Sequence, residues 1–380
     1  MGDAMKSGWV TKKLGDVCEL IGGGTPSIHV AHYYGGNIPW ATVRDMNCRV
    51  ISKTERTITK QGLENSASNI IPAGNVVIST HVGLGKVCFV AKDTAINQDL
   101  KGVIPLSGEL NRTYLYYWFL SIANFLVSSG TGSTVRGVKL EFVKSLDIPI
   151  PPLSEQRRIV AKIDAAFEKI DALKANAEKN LANAKELFQS ALDEAMRPKK
   201  GWVEKRLGEV CVILDSQRIP ITKKDRKPGK IPYYGATKQV DSVSDYIFDE
   251  RLLLLGEDGA DWSAGANSAY IIEGKSWVNN HAHVLRPMAD IVNDVWLMFY
   301  LNATDLTKWV SGTTVPKLNQ KNMCEIPVPI PPIHEQTILA MSIGILSSKL
   351  ETIQQNYIRQ IADCAEMKQA ILREAFEGRL

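Results

Sequence analysis

The chain has 380 residues, 44% of them hydrophobic and 23% charged, with a formal net charge of +4. That length supports two domains with cores of their own, at roughly 100–200 residues each, and the composition is that of a soluble globular protein, not a disordered or fibrous one. The longest apolar runs, 114–120 and 252–255, are too short to span a bilayer, the opening residues are polar where a signal peptide would be apolar, and none of the six cysteines lies within four residues of another, so reduced thiols and a cytoplasmic location are expected.

From its start the chain reads GWVTKKLGDVC over residues 8–18. The apolar runs Ile70–Thr80 and Lys86–Ala91, bounded by Gly and Pro, have the composition of short strands, and Tyr114–Ser128 reads as a helix. Pro149-Ile-Pro-Pro-Leu-Ser-Glu155-Gln156 follows. Proline pushes its predecessor into an extended conformation and is tolerated only at a helix start, so this segment closes a domain and opens a helix. Ser154 suits the N-cap, and Glu155 suits the positive end of the helix.

The helix predicted after it carries two stripes at heptad spacing. Ile163, Ile170, Ala177, Ala184 and Ala191 form one; Ile159, Ala166, Leu173, Asn180 and Leu187 form the other. Arg197-Pro-Lys-Lys-Gly201 ends it.

Residues 201–211 then read GWVEKRLGEVC, identical to residues 8–18 at eight of eleven positions. Strand-like Arg251–Leu255 and Ser268–Ile272 and a helical Val292–Val310 come next. Pro329-Ile-Pro-Pro-Ile-His-Glu335-Gln336 repeats the earlier exit. The last helix repeats the stripes 180 residues on: Ile343, Leu350, Tyr357, Cys364 and Ile371, with Leu339, Leu346, Ile353, Gln360 and Met367. Asn180 and Gln360 fall at equivalent places, where a polar seam residue would fix register. Between the anchors likeness is slight: Asn37-Ile-Pro39 with Lys230-Ile-Pro232, and Ser133-Thr-Val135 with Thr313-Thr-Val315. The frame is duplicated and the filling is not. An α+β fold follows, with two tandem mixed α/β modules and two long helices that pair.

Catalytic signatures are missing from the text. Pro-Pro is preceded by Ile and followed by Leu153 or Ile333, unlike the Asn/Asp-Pro-Pro-aromatic motif of amino-methyltransferases. Gly22-Gly-Gly24 and Gly83-Leu-Gly85 fit turns better than phosphate loops. Glu273-Gly-Lys275 lacks an upstream carboxylate partner, and His281 and His283, a possible metal pair, lack an apparent third ligand.

The charge points to nucleic acid. Each helix carries net −1, leaving +6 to the modules. Arg218, Lys223, Lys224, Arg226, Lys227 and Lys230 cluster beside Tyr233; Arg44, Arg49, Lys53, Arg56 and Lys60 form a looser run, with Lys86 further on. Arg136 and Lys139, and Lys317, Gln320 and Lys321, precede the two Pro-Pro exits. Such cations neutralise phosphates, and Arg and Gln read base edges. All but Arg49 are the candidate DNA contacts.

The combination of Trp9, Leu14 and Gly15 with Pro149, Pro151, Pro152, Glu155 and Gln156, repeated as Trp202, Leu207, Gly208, Pro329, Pro331, Pro332, Glu335 and Gln336, resembles the specificity subunit of type I restriction-modification systems over the whole chain. The closing run Gln369–Leu380 resembles it too. The resemblance implies target recognition domains at 1–152 and 198–332, and long helices at 153–197 and 333–380 forming an antiparallel coiled coil. It implies that each domain reads half of a bipartite site in double-stranded DNA, with two methyltransferase subunits and motor-nuclease restriction subunits as partners. SAM, ATP and magnesium would belong to those partners, and no catalytic residue to this chain.

Overall fold

The computed structural model describes residues 8–132, 137–312 and 314–380. Arg136 and part of the expected likeness between 133–135 and 313–315 lie outside them. Contacts divide the chain into two units, Met1–Asn176 with Gln360–Leu380, and Ala177–Arg359. Each unit is a head packed on part of both long helices.

The first head has a five-stranded sheet in the order Cys18–Gly22, Leu100–Pro105, Val76–Ser79, Val87–Val90, Val50–Ile51. A second sheet runs Arg56–Ile58, Tyr34–Ala41, Thr94–Ile96, Asn69–Ile71, with its central pair parallel. The expected run Ile70–Thr80 is thus two strands, broken at Pro72-Ala-Gly74, where Gly74 has φ +76°. The helix expected over Tyr114–Ser128 breaks at Ile122 into Arg112–Ser121 and Ala123–Ser129.

The second head repeats the plan. Cys211–Ile213, Ala282–Pro287, Leu252–Gly256 and Ala269–Ile272 form one sheet. Gln239–Val243, Pro228–Tyr234, Lys275–Val278 and Phe248–Asp249 form the other, again around a parallel central pair. Its helix is Asp294–Ala303.

The duplicated sequence frame now has physical reasons. Gly8 and Gly201 sit at φ +95° and +98°, where a side chain would be strained. Leu14 and Leu207 are fully buried, and their amides donate to the Leu146 and Ile326 carbonyls. The strands Val10–Lys13 and Val203–Arg206 pair antiparallel with the exits Asp147–Ile150 and Pro327–Ile330, closing each head on itself.

The exits are held by an amide clamp. Gln156 is fully buried; its Nε2 donates to the Glu109 and Pro151 carbonyls, and its Oε1 accepts from the Asn111 amide at 2.8 Å. Gln336 does the same with Ile291, Pro331 and Asn293. Asn111 and Asn293 cap the head helices, so one side chain ties a head helix to a long helix. Tyr114 and Tyr300 hydroxyls add bonds to the Pro149 and Pro327 carbonyls.

The long helices run Leu153–Met196 and Ile333–Phe376. In the first unit the start of the central helix runs beside the end of the other: Lys368 Nζ lies 2.5 Å from Asp171 and over the Phe167 ring, while Leu372 and Ala375 join the head core with Ile159 and Ile163. In the second unit the end of the central helix, Leu192 and Met196, shares a core with Ala340 and Ile343 at the start of the other. The pairing within each unit is antiparallel.

One seam stripe matches the expected positions: Ile163, Ile170 and Ala177, and Ile343, Leu350, Tyr357 and Cys364, are buried or half-buried. The other stripe holds only at the helix starts, where Ile159 is buried and Ala166 and Leu339 are half-buried, and is corrected beyond them. Leu173, Asn180 and Leu187 are exposed, as are Leu346, Ile353, Gln360 and Met367, so neither Asn180 nor Gln360 is a seam residue. The second row lies one position later, at Phe167, Leu181, Phe188 and Ala195, and at Ala340, Ser347, Gln354, Ile361 and Lys368. Residues at i+3 and i+4 both flank a first stripe, and the partner covers only one flank.

Replacing Gln156 with Ala strands three backbone groups and should destabilise the first unit by about 3 kcal/mol. Hydrogen exchange should show the Asn111 amide and its head helix losing protection while Asn293 keeps its own. Equal protection at both sites in the variant would contradict the clamp.

Candidate nucleic-acid interface

The candidate DNA contacts fall into groups that sequence did not distinguish. In the first head, exposed Arg44 and Arg56 line one cleft together with Asp45, Glu55 and Asp99 and with the buried Trp40 and Asn97. Arg44 is 78% exposed and only loosely paired to Glu55, at 3.7 Å. Thr42 and Asp45 form a capping box that fixes the turn carrying Arg44. Lys53 is exposed, and Lys60 pairs with Glu64 one helical turn on. Lys86 reaches Asn47 at 2.9 Å, and Lys139 is exposed just before the helix Leu140–Lys144. Arg49, 47% exposed, turns toward the central helix: it stacks over Tyr116 and Tyr117 and pairs with Asp164 at 3.0 Å, so it joins head to helix.

In the second head the basic cluster separates. Lys223, Lys224, Lys227 and Lys230 are exposed, the first two on a single helical turn and Lys230 on the strand Pro228–Tyr234. Arg226 stacks 4.2 Å over the Tyr233 ring and pairs with Asp241 at 2.8 Å. Tyr233 is 1% exposed, so its ring belongs to the core and offers no face to a base. Gln320 and Lys321 are exposed on the helix Gln320–Cys324.

Arg218 is also corrected. It is half-buried, its side chain 13% exposed, with Nη1 2.5 Å from Glu257 and 2.8 Å from the Ala282 carbonyl, and Nη2 3.4 Å from Asp215. Lys317 reaches Glu257 at 2.7 Å. His283, fully buried, shares a 2.5 Å hydrogen bond through Nδ1 with Asp215, and its Nε2 lies 2.7 Å from the Leu318 carbonyl. His281 turns outward to Asp258 at 2.5 Å, so the two histidines do not form one site. Asp215, Glu257 and His283 have the spacing of a metal set, which the sequence concealed because 68 residues separate the first from the last. Their charge is already met by the guanidinium of Arg218 and the ammonium of Lys317.

This network leaves a mark on acidity. Burial alone pushes the Asp215 carboxyl up, but the His283 hydrogen bond and charge, the Val284 amide and Arg218 outweigh it and hold it below the ordinary range. Burial likewise opposes ionisation of Glu257, and the Lys317 and Arg218 hydrogen bonds bring it below its usual value. The corresponding place in the first head is Thr80. Its amide donates to Asp99 and it accepts from Val138, as the Glu257 amide donates to His281 and its carbonyl accepts from Leu318. The backbone frame is therefore shared, while its side chains differ in charge.

Because both carboxyls are more acidic folded than unfolded, they stabilise the second unit above their ordinary values of 3.8 and 4.5, and that contribution is lost as pH falls through the folded values. Chemical unfolding from pH 7 to 3 should show the second unit weakening first. Arg218→Met should cost about 3 kcal/mol at pH 7 by leaving two buried carboxylates with only Lys317 and His283 to answer them. Lys227→Met, on an exposed side chain, should change stability by less than about 0.5 kcal/mol. Equal effects of the two would contradict the assignment.

The family model for the type I restriction modification DNA specificity domain matches residues 6–183 and 199–361. The chain is 27% identical to the specificity subunit of the type I restriction enzyme MjaIX of Methanocaldococcus jannaschii, over 98% of this chain and 93% of that one. It is 31% identical to the EcoR124I/EcoR124II specificity subunit of Escherichia coli, over 47% and 45%. Among solved structures, a chain from a study of complex assembly and conformational transition in the type I R-M system superposes with TM-score 0.82 at 21% identity, covering 100% of both. The HsdS subunit from Thermoanaerobacter tengcongensis superposes with TM-score 0.61 at 21% identity, over 99% of this chain and 98% of that one. At that identity these two show likeness of fold.

Proposed function

The chain belongs to the type I restriction-modification DNA specificity family, and on that premise we propose that it is the sequence-reading subunit of such a complex, each head reading one half of a bipartite, asymmetric DNA site. The observation that carries this reading is the pairing of one backbone frame with two unlike surfaces. The first head offers Arg44 and Arg56 at a cleft, whereas the second offers the exposed lysines 223, 224, 227 and 230. Lysines of that kind position a protein on phosphates, and base contacts specify. Two unlike readers suit two unlike half-sites.

The long helices set the separation of the half-sites. Each has 44 residues, roughly 65 Å at the usual helical rise. They also offer a docking face for methyltransferase subunits. Ile338, Met341 and Ile345 on the last helix are 61%, 65% and 55% exposed and share one face. Apolar side chains exposed at that spacing suit a partner protein. The motor-nuclease subunits join the same assembly. Methyl transfer and DNA cleavage, with their SAM, ATP and magnesium, are the work of those partners, and this chain supplies recognition. No helix among the described residues is long and apolar enough to cross a membrane.

Four residues inserted after Asn180, with four matching residues in the other helix, add about one turn and roughly 6 Å. Mapping methylated sites in a host that expresses the chain with its methyltransferase subunits should show a longer gap between unchanged half-sites. An unchanged gap, or altered half-sites, would refute the spacer role.

A further inference from the structure

Each unit has a hollow at the same place, where its head helix faces the two long helices. In the first unit it measures about 480 Å³, with Arg49, Tyr116, Tyr117, Asp164, Phe167 and Lys368 in its lining. In the second it measures about 830 Å³, with Phe188, Tyr270, Met298, Phe299, Ser347 and Leu350 in its lining. The caps Asn111 and Asn293 set Met298 and Phe299 in the places of Tyr116 and Tyr117. The repeat of the long helices sets Gly344 and Ser347 in the places of Asp164 and Phe167.

The first hollow is bolted across. Asp164 accepts from the Tyr117 hydroxyl and, at 3.0 Å, from Arg49 Nη1. The Tyr117 and Phe167 rings meet edge to face with centroids 5.6 Å apart, and Lys368 lies over Phe167 while pairing with Asp171. The second unit lacks these parts. Gly344 has no side chain and Ser347 a short one, and Phe188 stands where Lys368 does. The second head's main sheet has four strands, so nothing matches the fifth strand Val50–Ile51 that brings Arg49 to the bolt. A space of that size between packed elements forfeits the contacts that close packing would supply.

Packing does not require glycine at 344. A Cβ there would meet nothing within 4 Å beyond its own helix backbone. Glycine inside a helix nonetheless weakens it, and helices kink at Gly/Ser stretches. The stretch reads Ser342-Ile-Gly344-Ile-Leu-Ser347-Ser348, where the first helix has Lys162-Ile-Asp164-Ala-Ala-Phe167-Glu168. This soft point comes about two turns after the Gln336 clamp and about one turn before Ser347, which lines the hollow.

We propose that the last helix bends at Gly344 when the chain engages DNA, folding its stretch 347–354 onto the second head and closing the hollow, while the first unit, bolted at Asp164, keeps its form. Hinges of this kind are a few positions that absorb a change of angle between packed parts. The Gln336 clamp stays locked, so the second head moves together with the first turns of the helix. The link to DNA rests on the reading of the heads as DNA readers; the bend itself does not.

The test follows hydrogen exchange by mass spectrometry in the native protein, Gly344→Ala and Ser347→Phe. In the full chain alone, native amides at 344–354 should exchange about tenfold faster than those at 164–174, and Gly344→Ala should remove most of that difference. In the complex with methyltransferase subunits, DNA carrying the mapped site should slow exchange at 344–354 and leave 164–174 unchanged. Ser347→Phe places a ring where Phe167 has one, so it should block closure and weaken binding of that DNA about tenfold. If Ser347→Phe fails to fold, Gly344→Ala decides, since its methyl group enters open space. Equal native exchange in the two stretches, no slowing at 344–354 on DNA, or no effect of Gly344→Ala would overturn the proposal. A complex with no sequence preference would instead bring down the DNA-reading assignment, and the comparison without DNA would still decide the bend.

Discussion

Each long helix leaves its head through a single buried amide. Gln156 and Gln336 have no free hydrogen-bonding choice: each is sealed from water, and each joins the first proline of the Pro-Pro pair, the loop before the head helix and the cap of that helix. An amide with both ends committed in a dry site locks the angle at which the helix departs. The strand pairs that close each head, Val10–Lys13 with Asp147–Ile150 and Val203–Arg206 with Pro327–Ile330, hold the other side of the same junction. Everything a head shows to a ligand is mounted on that junction, which is why the frame repeats in sequence while the surfaces are free to differ.

Much of the frame was legible in sequence because it is made of local signals. Pro-Pro announces a helix start, the repeated Gly-Trp segment a second copy of the frame, and heptad spacing a pairing face. The limits were geometric. A helix with apolar residues on both flanks of a stripe does not say which flank its partner covers, so Leu173, Leu187, Leu346 and Ile353 were taken into the seam and are instead exposed. The polar pair Asn180 and Gln360 lost its register role for the same reason.

The candidate site was legible in outline only. A run of basic residues does not reveal which members turn inward. Arg218 answers two carboxylates, Asp215 near it in sequence and Glu257 39 residues away, and Arg226 lies on the ring of Tyr233. Both are held in place by partners that no spacing rule connects to them. The lysines from 223 to 230 that remain exposed, together with Arg44 and Arg56, are what the charge argument correctly located at the surface.

The central claim is that the two heads read DNA independently from one shared frame. It is tested most directly by exchanging residues 22–148, which leaves both Pro-Pro segments and both helices intact, for the same region of another family member, and then sequencing the methylated sites made by the complex. The account predicts that one half-site changes to that of the donor while the other half-site and the gap stay as they were. A change in both half-sites would contradict it.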